Sequence, residues 1–258
     1  MIQGLWQCAA GMQAQQVRQD VLANNLANLD TPGFKPDTVS FRERLAAARG
    51  GSVLGDDARP AHAILDDMSG GVGVTPRHTD FSAAALTPSP GNPLDVAVDG
   101  DGFFAVRSAE GTRYTRNGRF ALRADGALVT AAGGFEVLDD AGRPVRLDRS
   151  ASAGSIAIDA NGTIRQGEVA VARLGVVDFD DRSRLQKAGT NLFDADGARP
   201  RAGDGGVVQY AYESSGVDPV ASLVRLIEAT RAYQVNATMI SLQDQTLGRV
   251  VNDVGRLA

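Results

Sequence analysis

Cysteine is almost missing from this chain of 258 residues: Cys8 stands alone, which excludes an internal disulfide and a thiolate metal cluster. Histidine is nearly as scarce. His62 and His78 both sit in polar, turn-rich sequence, and no Gly-x-Ser-x-Gly elbow offers a nucleophile for a Ser–His–Asp arrangement. Aromatic residues make up 5%, which leaves few platforms for stacking sugars. No stretch approaches the ~18 apolar residues of a membrane span, so no membrane insertion is expected. The net charge of −5 comes without any basic block or stripe, which argues against nucleic acid as a partner. Met1-Ile2-Gln3-Gly4-Leu5-Trp6 lacks a basic segment followed by an apolar core, so export through a cleavable Sec-type signal is not expected.

Polar clusters that resemble cofactor or metal sites read more simply as turns. Gly70-Gly71-Val72-Gly73 has no Lys-Ser/Thr after it and no βαβ unit around it, so it reads as a flexible joint, not a phosphate loop. Asp99-Gly100-Asp101-Gly102 lacks the spacing and terminal Glu of a calcium loop and reads as tight-turn chemistry. Asp178, Asp180 and Asp181 read as a solvated turn, and Cys8 as a small buried hydrophobe in a helix. No catalytic residue, cofactor or metal follows from these residues.

What the chain has is contrast between its ends and its middle. Residues 2–29 and 219–257 are nearly free of Gly and Pro and apolar at helical spacing. Most of the 30 glycines fall between them. With 43% hydrophobic and 22% charged residues, the chain has the composition of a folded protein with a sizeable core. Asp218 suits an N-cap and Pro219 the first helical turn. From there a 4–3 alternation runs through Leu226, Thr230, Tyr233, Ala237, Ile240, Asp244, Leu247, Val251, Val254 and Ala258, the pattern of a coiled-coil seam. Val224, Ile227, Val235, Met239 and Leu242 widen the stripe, which implies more than one packing partner. In the N-terminal segment Leu5, Ala9 and Met12 begin one row, Val17 and Val21 a second, and Leu22, Leu26 and Leu29 a third. Asp30-Thr31-Pro32-Gly33 ends it.

Residues 35–74 read as an extended arm or linker, with a short helix as one option over 41–49. From 75 to 212, turn signals recur every seven to eleven residues at Asp99-Gly100, Glu110-Gly111, Asn117-Gly118, Asp125-Gly126, Gly133-Gly134 and Ala141-Gly142, the rhythm of short antiparallel strands. The Asn161-Gly162 turn and the run 169–179 extend it. The expected fold class is α+β: N- and C-terminal helices paired as a coiled coil, with an antiparallel β-domain, a sandwich or irregular barrel, inserted between them. The expected domains are 1–34, 35–74, 75–212 and 213–258.

Asn24, Asn25 and Asn28 crowd the last turns of the first helix, where Asn is a poor helix former; they read either as fraying and capping or as amides bonding across a helix or subunit contact. Tyr233 lies on the seam with Arg231 and Asn236 beside it. At these positions the chain resembles a known family. Ala23-Asn24-Asn25-Leu26-Ala27-Asn28 with Thr31-Pro32-Gly33-Phe34-Lys35 is similar to the N-terminal signature of bacterial flagellar rod and hook proteins. Gly91-Asn92-Pro93-Leu94-Asp95-Val96 and Tyr114-Thr115-Arg116-Asn117-Gly118 resemble their shared β-domain. Val217-Asp218-Pro219-Val220 and Arg231-Ala232-Tyr233-Gln234 resemble their closing helix.

The resemblance implies a non-enzymatic axial subunit of the flagellar basal body, exported without a cleavable signal by the flagellar type III apparatus. Copies of itself and other axial proteins of rod and hook would be its partners. Its terminal helices would line the inner layer of a tube that transmits torque, with Leu5, Met12, Leu22, Asn24, Asn25, Leu26 and Asn28 contributing from the first helix. Leu226, Ile227, Arg231, Tyr233, Asn236, Ile240, Leu247 and Val251 would contribute from the last. Within the family the length and single β-domain favour a rod protein, distal or proximal, over a hook-type protein. The rival of another class is an extracellular β-rich enzyme or adhesin with helical ends for oligomerisation, which requires a concave site in 75–212.

Overall fold

A computed structural model describes residues 2–43, 72–148, 156–189 and 191–257. Helix α1 spans Ile2–Ala27 and helix α2 spans Pro219–Leu257. At 39 residues, α2 is roughly 58 Å long at 1.5 Å per residue. It begins at Pro219 as expected, because proline costs nothing where the helical N–H would be unpaired. Two compact units divide the chain: residues 1–26, 37–78 and 219–258 form one, and 27–36 with 79–218 form the other.

In the first unit, Phe41–Glu43 pairs antiparallel with Val72–Val74, Phe41 opposite Val74 and Glu43 opposite Val72. The Thr75 hydroxyl donates to the Ser40 carbonyl at 2.7 Å and extends the contact. This corrects two expectations. The helix option for 41–49 fails over its described residues, 41–43, which are strand; the others lie outside the described residues. Gly73 belongs to a ladder and not to a free joint, because Val72 and Val74 on either side of it suit a pleated strand.

The second unit is antiparallel throughout its named ladders. Phe103–Ser108 lies at its centre, hairpinned to Gly111–Thr115 and paired on its other edge with Glu136–Val137 and Val176–Phe179. Leu128–Thr130 and Phe120–Leu122 continue the sheet on one side, Phe193–Asp194 and Gln186–Lys187 on the other. Ile156–Ile158, Thr163–Gln166 and Val169–Arg173 form a separate three-stranded sheet.

The central strand reads Phe-Phe-Ala-Val without polar alternation because both of its faces are covered. Phe104 and Val106 enter one apolar cluster with Val96, Phe120, Leu128 and Ile164. Phe103 and Ala105 enter the other with Tyr114, Leu138, Phe179 and Phe193. Phe103 sits 5.7 Å from both the Phe81 and Phe193 rings, and Tyr114 stacks edge-on to Phe179 at 4.8 Å, distances at which aromatic pairs attract beyond their area.

Five turn signals close hairpins as expected, at 109–110, 124–126, 131–134, 140–142 and 160–162. Asn117-Gly118 does not. It carries the chain between strands in different places in the sheet, and a Cβ on Gly118 would stand 1.6 Å from the Val96 carbonyl oxygen. Glycine is required there by close approach, with Val96 N–H bonding back to the Gly118 carbonyl at 2.9 Å.

Around the turn after Val176–Phe179, Asp180 and Asp181 are exposed as expected, but Asp178 is not. Its carboxylate is buried and takes Arg182 at 2.9 Å and Arg201 at 2.8 Å, and Arg182 reaches on to Asp101 at 2.9 Å. Burial alone would raise the Asp178 carboxyl, but hydrogen bonds from Arg201, the Phe179 N–H and Arg182 outweigh it and hold it below its ordinary range. The Arg182 hydrogen bond lowers Asp101 in the same way.

Both carboxyls are depressed in the folded state, so their stabilisation is complete above the unfolded carboxylate pKa of about 4 and lost as pH falls through the folded values. Thermal unfolding should therefore be flat from pH 7 to 5 and weaken below about pH 4. Asp178→Asn should lower stability at neutral pH by about 1–3 kcal/mol and blunt the acid slope. An unchanged acid slope in that variant would remove Asp178 from the account.

Candidate assembly surface and the joined signature segments

The α2 residues turned inward include Ser222, Leu226, Ala229, Tyr233, Asn236, Ile240, Gln243 and Leu247, each buried or half-buried, with Ala221, Ala232 and Ala237 half-buried beside them. This is a 4–3 repeat, shifted at alternate positions from the one expected. Thr230 and Asp244 are exposed, while Ala229 is 0% exposed. The two patterns share Leu226, Tyr233, Ile240 and Leu247, and the expected Ala237 is half-buried as well. They differ because hydrophobicity alone disfavours amides at a seam, whereas the surface opposite them is glycine. An added Cβ on Gly4 would lie 2.6 Å from Gln243 Nε2, and one on Gly11 3.1 Å from Asn236 Oδ1. Gly4 and Gly11 are one heptad apart, as are Asn236 and Gln243, and the pairing runs antiparallel.

This contact is close but poorly satisfied. Asn236 Nδ2 donates within its own helix to the Ala232 carbonyl at 3.0 Å. Gln15 Oε1, Gln19 Nε2 and Gln243 Oε1 are buried without a hydrogen-bond partner, each at a cost of about 1–3 kcal/mol. The opposite side of α2 is apolar and open. Val220, Leu223, Val224, Ile227, Val235, Met239, Leu242 and Val250 are all exposed, Val220 at 71% and Val235 at 62%. Trp6 on α1 is 73% exposed. Apolar residues exposed in this number along one helix mark a surface for a partner.

The sequence-derived interface residues divide between these surfaces. Leu5, Met12, Leu26, Leu226, Tyr233, Asn236, Ile240 and Leu247 are half-buried and Leu22 is buried, whereas Asn24, Ile227 and Arg231 point outward. The Val251 side chain lies outside the described residues. Of the three asparagines, Asn25 is the buried one, with 5% exposure. Its amide donates to the Asp37 carbonyl at 2.8 Å and accepts the Asp37 N–H at 3.0 Å. Asn28 caps the chain's exit from the helix, its Oδ1 accepting the Thr31 hydroxyl at 3.2 Å.

Three residues escaped sequence reasoning. In the β-unit Lys35 Nζ meets Glu213 Oε1 at 2.6 Å and Arg116 Nη1 stands 3.4 Å from Glu213 Oε2, all three side chains at most 2% exposed. Lys35 also donates to the Ser82 carbonyl at 2.7 Å, and Arg116 Nη2 to the Gly100 carbonyl at 2.7 Å. Burial pushes the Lys35 amine down from its ordinary value, partly offset by the Glu213 carboxylate, and lowers Arg116 likewise. Gly33 adopts φ +67°, and a Cβ there would sit 2.5 Å from the Arg116 carbonyl carbon and the Asn117 nitrogen. Thr31-Pro32-Gly33-Phe34-Lys35 is thus threaded against Tyr114-Thr115-Arg116-Asn117-Gly118. Asn191 completes the packing through a 3.0 Å bond to the Pro32 carbonyl, and Lys187 lies 4.4 Å over the Phe34 ring.

Fold and surface together define a helix-flanked β-domain subunit whose prominent feature is an open apolar helix face: a protein built to assemble. Comparison with known proteins specifies the kind. Residues 9–35 match the family described as "Flagella basal body rod protein", 97–166 the "Flagellar hook protein FlgE/F/G D1 domain", and 208–253 the "Flagellar basal body rod FlgEFG protein C-terminal". The flagellar basal-body rod protein FlgG of Bacillus subtilis is 32% identical, over 98% of this chain and 99% of its own length. FlgF of Caulobacter vibrioides is 34% identical over 92% of each chain. FlgG of Agrobacterium fabrum is 34% identical over 92% of this chain and 94% of its own. The chain belongs to the flagellar basal-body rod protein family, and is a structural rod protein. Identities to FlgG and FlgF are too alike to separate the two.

Replacing Asn25 by Ala removes both bonds to Asp37, so a loss of about 1–3 kcal/mol is expected. Circular dichroism melts against Asn24→Ala, which alters an exposed residue, would expose an error: equal effects of the two substitutions contradict the geometry.

Proposed function

We propose that the chain is a non-enzymatic subunit of the flagellar rod that polymerises through α1 and α2 into a tubular drive shaft transmitting torque to hook and filament. The observation that carries this reading is the open apolar face of α2, opposite the side turned to α1. One face serves an antiparallel coiled coil within the subunit; the other is left for neighbouring copies and further axial proteins. Several buried unpaired amides make the pair weak by itself, so much of its stabilisation comes from covering the outer face. In this reading Leu22, Leu226, Tyr233, Ile240 and Leu247 hold the pair, and Ile227 and Arg231 meet neighbours. The chain reaches its site through the flagellar export apparatus.

The enzyme or adhesin rival needs a concave site with convergent polar groups. The β-unit has a cleft of about 370 Å³ lined by Thr31, Thr115, Asn117, Phe135, Asn191 and Leu192 among others, none of them titratable. Its threonines and asparagines stand without an acid or base to activate them, which favours the rod reading over this rival.

Ile240→Asp with Leu247→Asp places two carboxylates on the seam, at several kcal/mol each. The double variant should fail to enter basal bodies while its β-unit melts as in wild type. Motile cells with the variant in purified basal bodies would overturn the proposal.

A further inference from the structure

The chain passes between the two units at four places, between residues 26 and 27, 36 and 37, 78 and 79, and 218 and 219. Inside the β-unit, the segments that lead to all four are drawn to one spot. Residues 33–36 serve the first two crossings and lie against 213–216, which lead to the fourth: Gly33 N–H donates to the Glu213 carbonyl at 2.8 Å and Gly216 N–H to the Phe34 carbonyl at 2.9 Å. Residues 80–84, which follow the third, join them through the Asp80 N–H to the Pro36 carbonyl at 2.9 Å. At the centre, Glu213 Oε1 accepts both Lys35 Nζ at 2.6 Å and the Ala84 N–H at 3.0 Å, while Lys35 Nζ also holds the Ser82 carbonyl. Arg116 anchors the group to the large sheet's Gly111–Thr115 edge and to the Val98 and Gly100 carbonyls.

We propose that the buried Lys35–Glu213–Arg116 cluster is the load-bearing clasp of the β-unit, through which force entering from either helix reaches the sheet. The inference deepens the rod reading and rests on it for its biological meaning, since a drive shaft works under load. Each crossing alone would hang on a few backbone hydrogen bonds, which open one after another when a strand end is pulled. The carboxylate changes this by joining three segments at once: residues 33–36 and 213–216 cannot part without separating Lys35 from Glu213 in a buried site, and 80–84 cannot leave without stripping a donor from the same carboxylate oxygen. An exposed ion pair would be replaced by solvent at little cost. Here the departing group leaves an unpaired buried charge behind. The bonds are also directional, as an apolar filling of the same volume is not.

The test pulls the full chain by its two ends at constant force. The helices yield first, after which load meets the β-unit at residues 27 and 218. Glu213→Gln should shorten the lifetime of the β-unit under force by about tenfold or more, the loss expected for a charged hydrogen bond. Glu110→Gln, which breaks only the exposed pair with Arg113, should leave it unchanged. Because Glu213→Gln strands two cations and can fail to fold, the triple variant Lys35→Met, Arg116→Met, Glu213→Leu is measured beside it. Such an apolar replacement keeps thermal stability near wild type and should still give a short lifetime under force. Wild-type lifetime in either folded variant, or an equal loss in Glu110→Gln, overturns the clasp. Neither result bears on rod incorporation, which the seam variants test separately.

Discussion

A single carboxylate organises this molecule. Glu213 lies 178 residues from Lys35 in the chain, yet 2.6 Å from its amine, in a site closed to water. Burying one anion between two cations is costly unless the pairing is tight and further bonds satisfy the group. Oε1 has those bonds, from Lys35 and the Ala84 N–H, whereas Oε2 accepts no hydrogen bond and stands 3.4 Å from Arg116, which the positive φ of Gly33 lets the chain approach. Each of the three matched family segments supplies one member of the cluster: Lys35 closes the first, Arg116 lies within the second, and Glu213 near the start of the third. The family signatures are therefore not three separate marks. They are parts of one joint.

Much of the architecture is legible in the sequence. Helical ends, a β-rich middle and five hairpin turns follow from period, glycine placement and capping residues, which act over a few positions. What escaped was set by contacts far apart in sequence. Nothing near Asp178 announces Arg201, so a carboxylate next to two other acidic residues read as solvated. Asn117-Gly118 has the composition of a hairpin turn, but the Val96 carbonyl, and not a turn, excludes a side chain there. The motif around Lys35 was recognised as a signature, while its charge gave no hint of being buried.

The seam failed in a more instructive way. An apolar 4–3 choice finds Leu226, Tyr233, Ala237, Ile240 and Leu247, all buried in part, but puts the exposed Thr230 and Asp244 on the alternate rows. The true rows hold Ala229, Asn236 and Gln243 because the opposing helix presents glycine at residues 4 and 11. A groove without side chains accepts an amide where an ordinary seam would require leucine. Meanwhile the stronger apolar signal, at Val220, Val224, Ile227 and Leu242, belongs to the outward face. Hydrophobicity in this helix reports the neighbour outside as much as the partner within.

The two glycines of α1 have a geometric consequence as well. Helix axes that meet through ordinary side chains stand about 8–10 Å apart, and glycine contacts fall at the short end of that range. Gly4 and Gly11 face amides as long as Gln243 and Asn236, so each of these contacts holds one side chain where a leucine seam would interleave two.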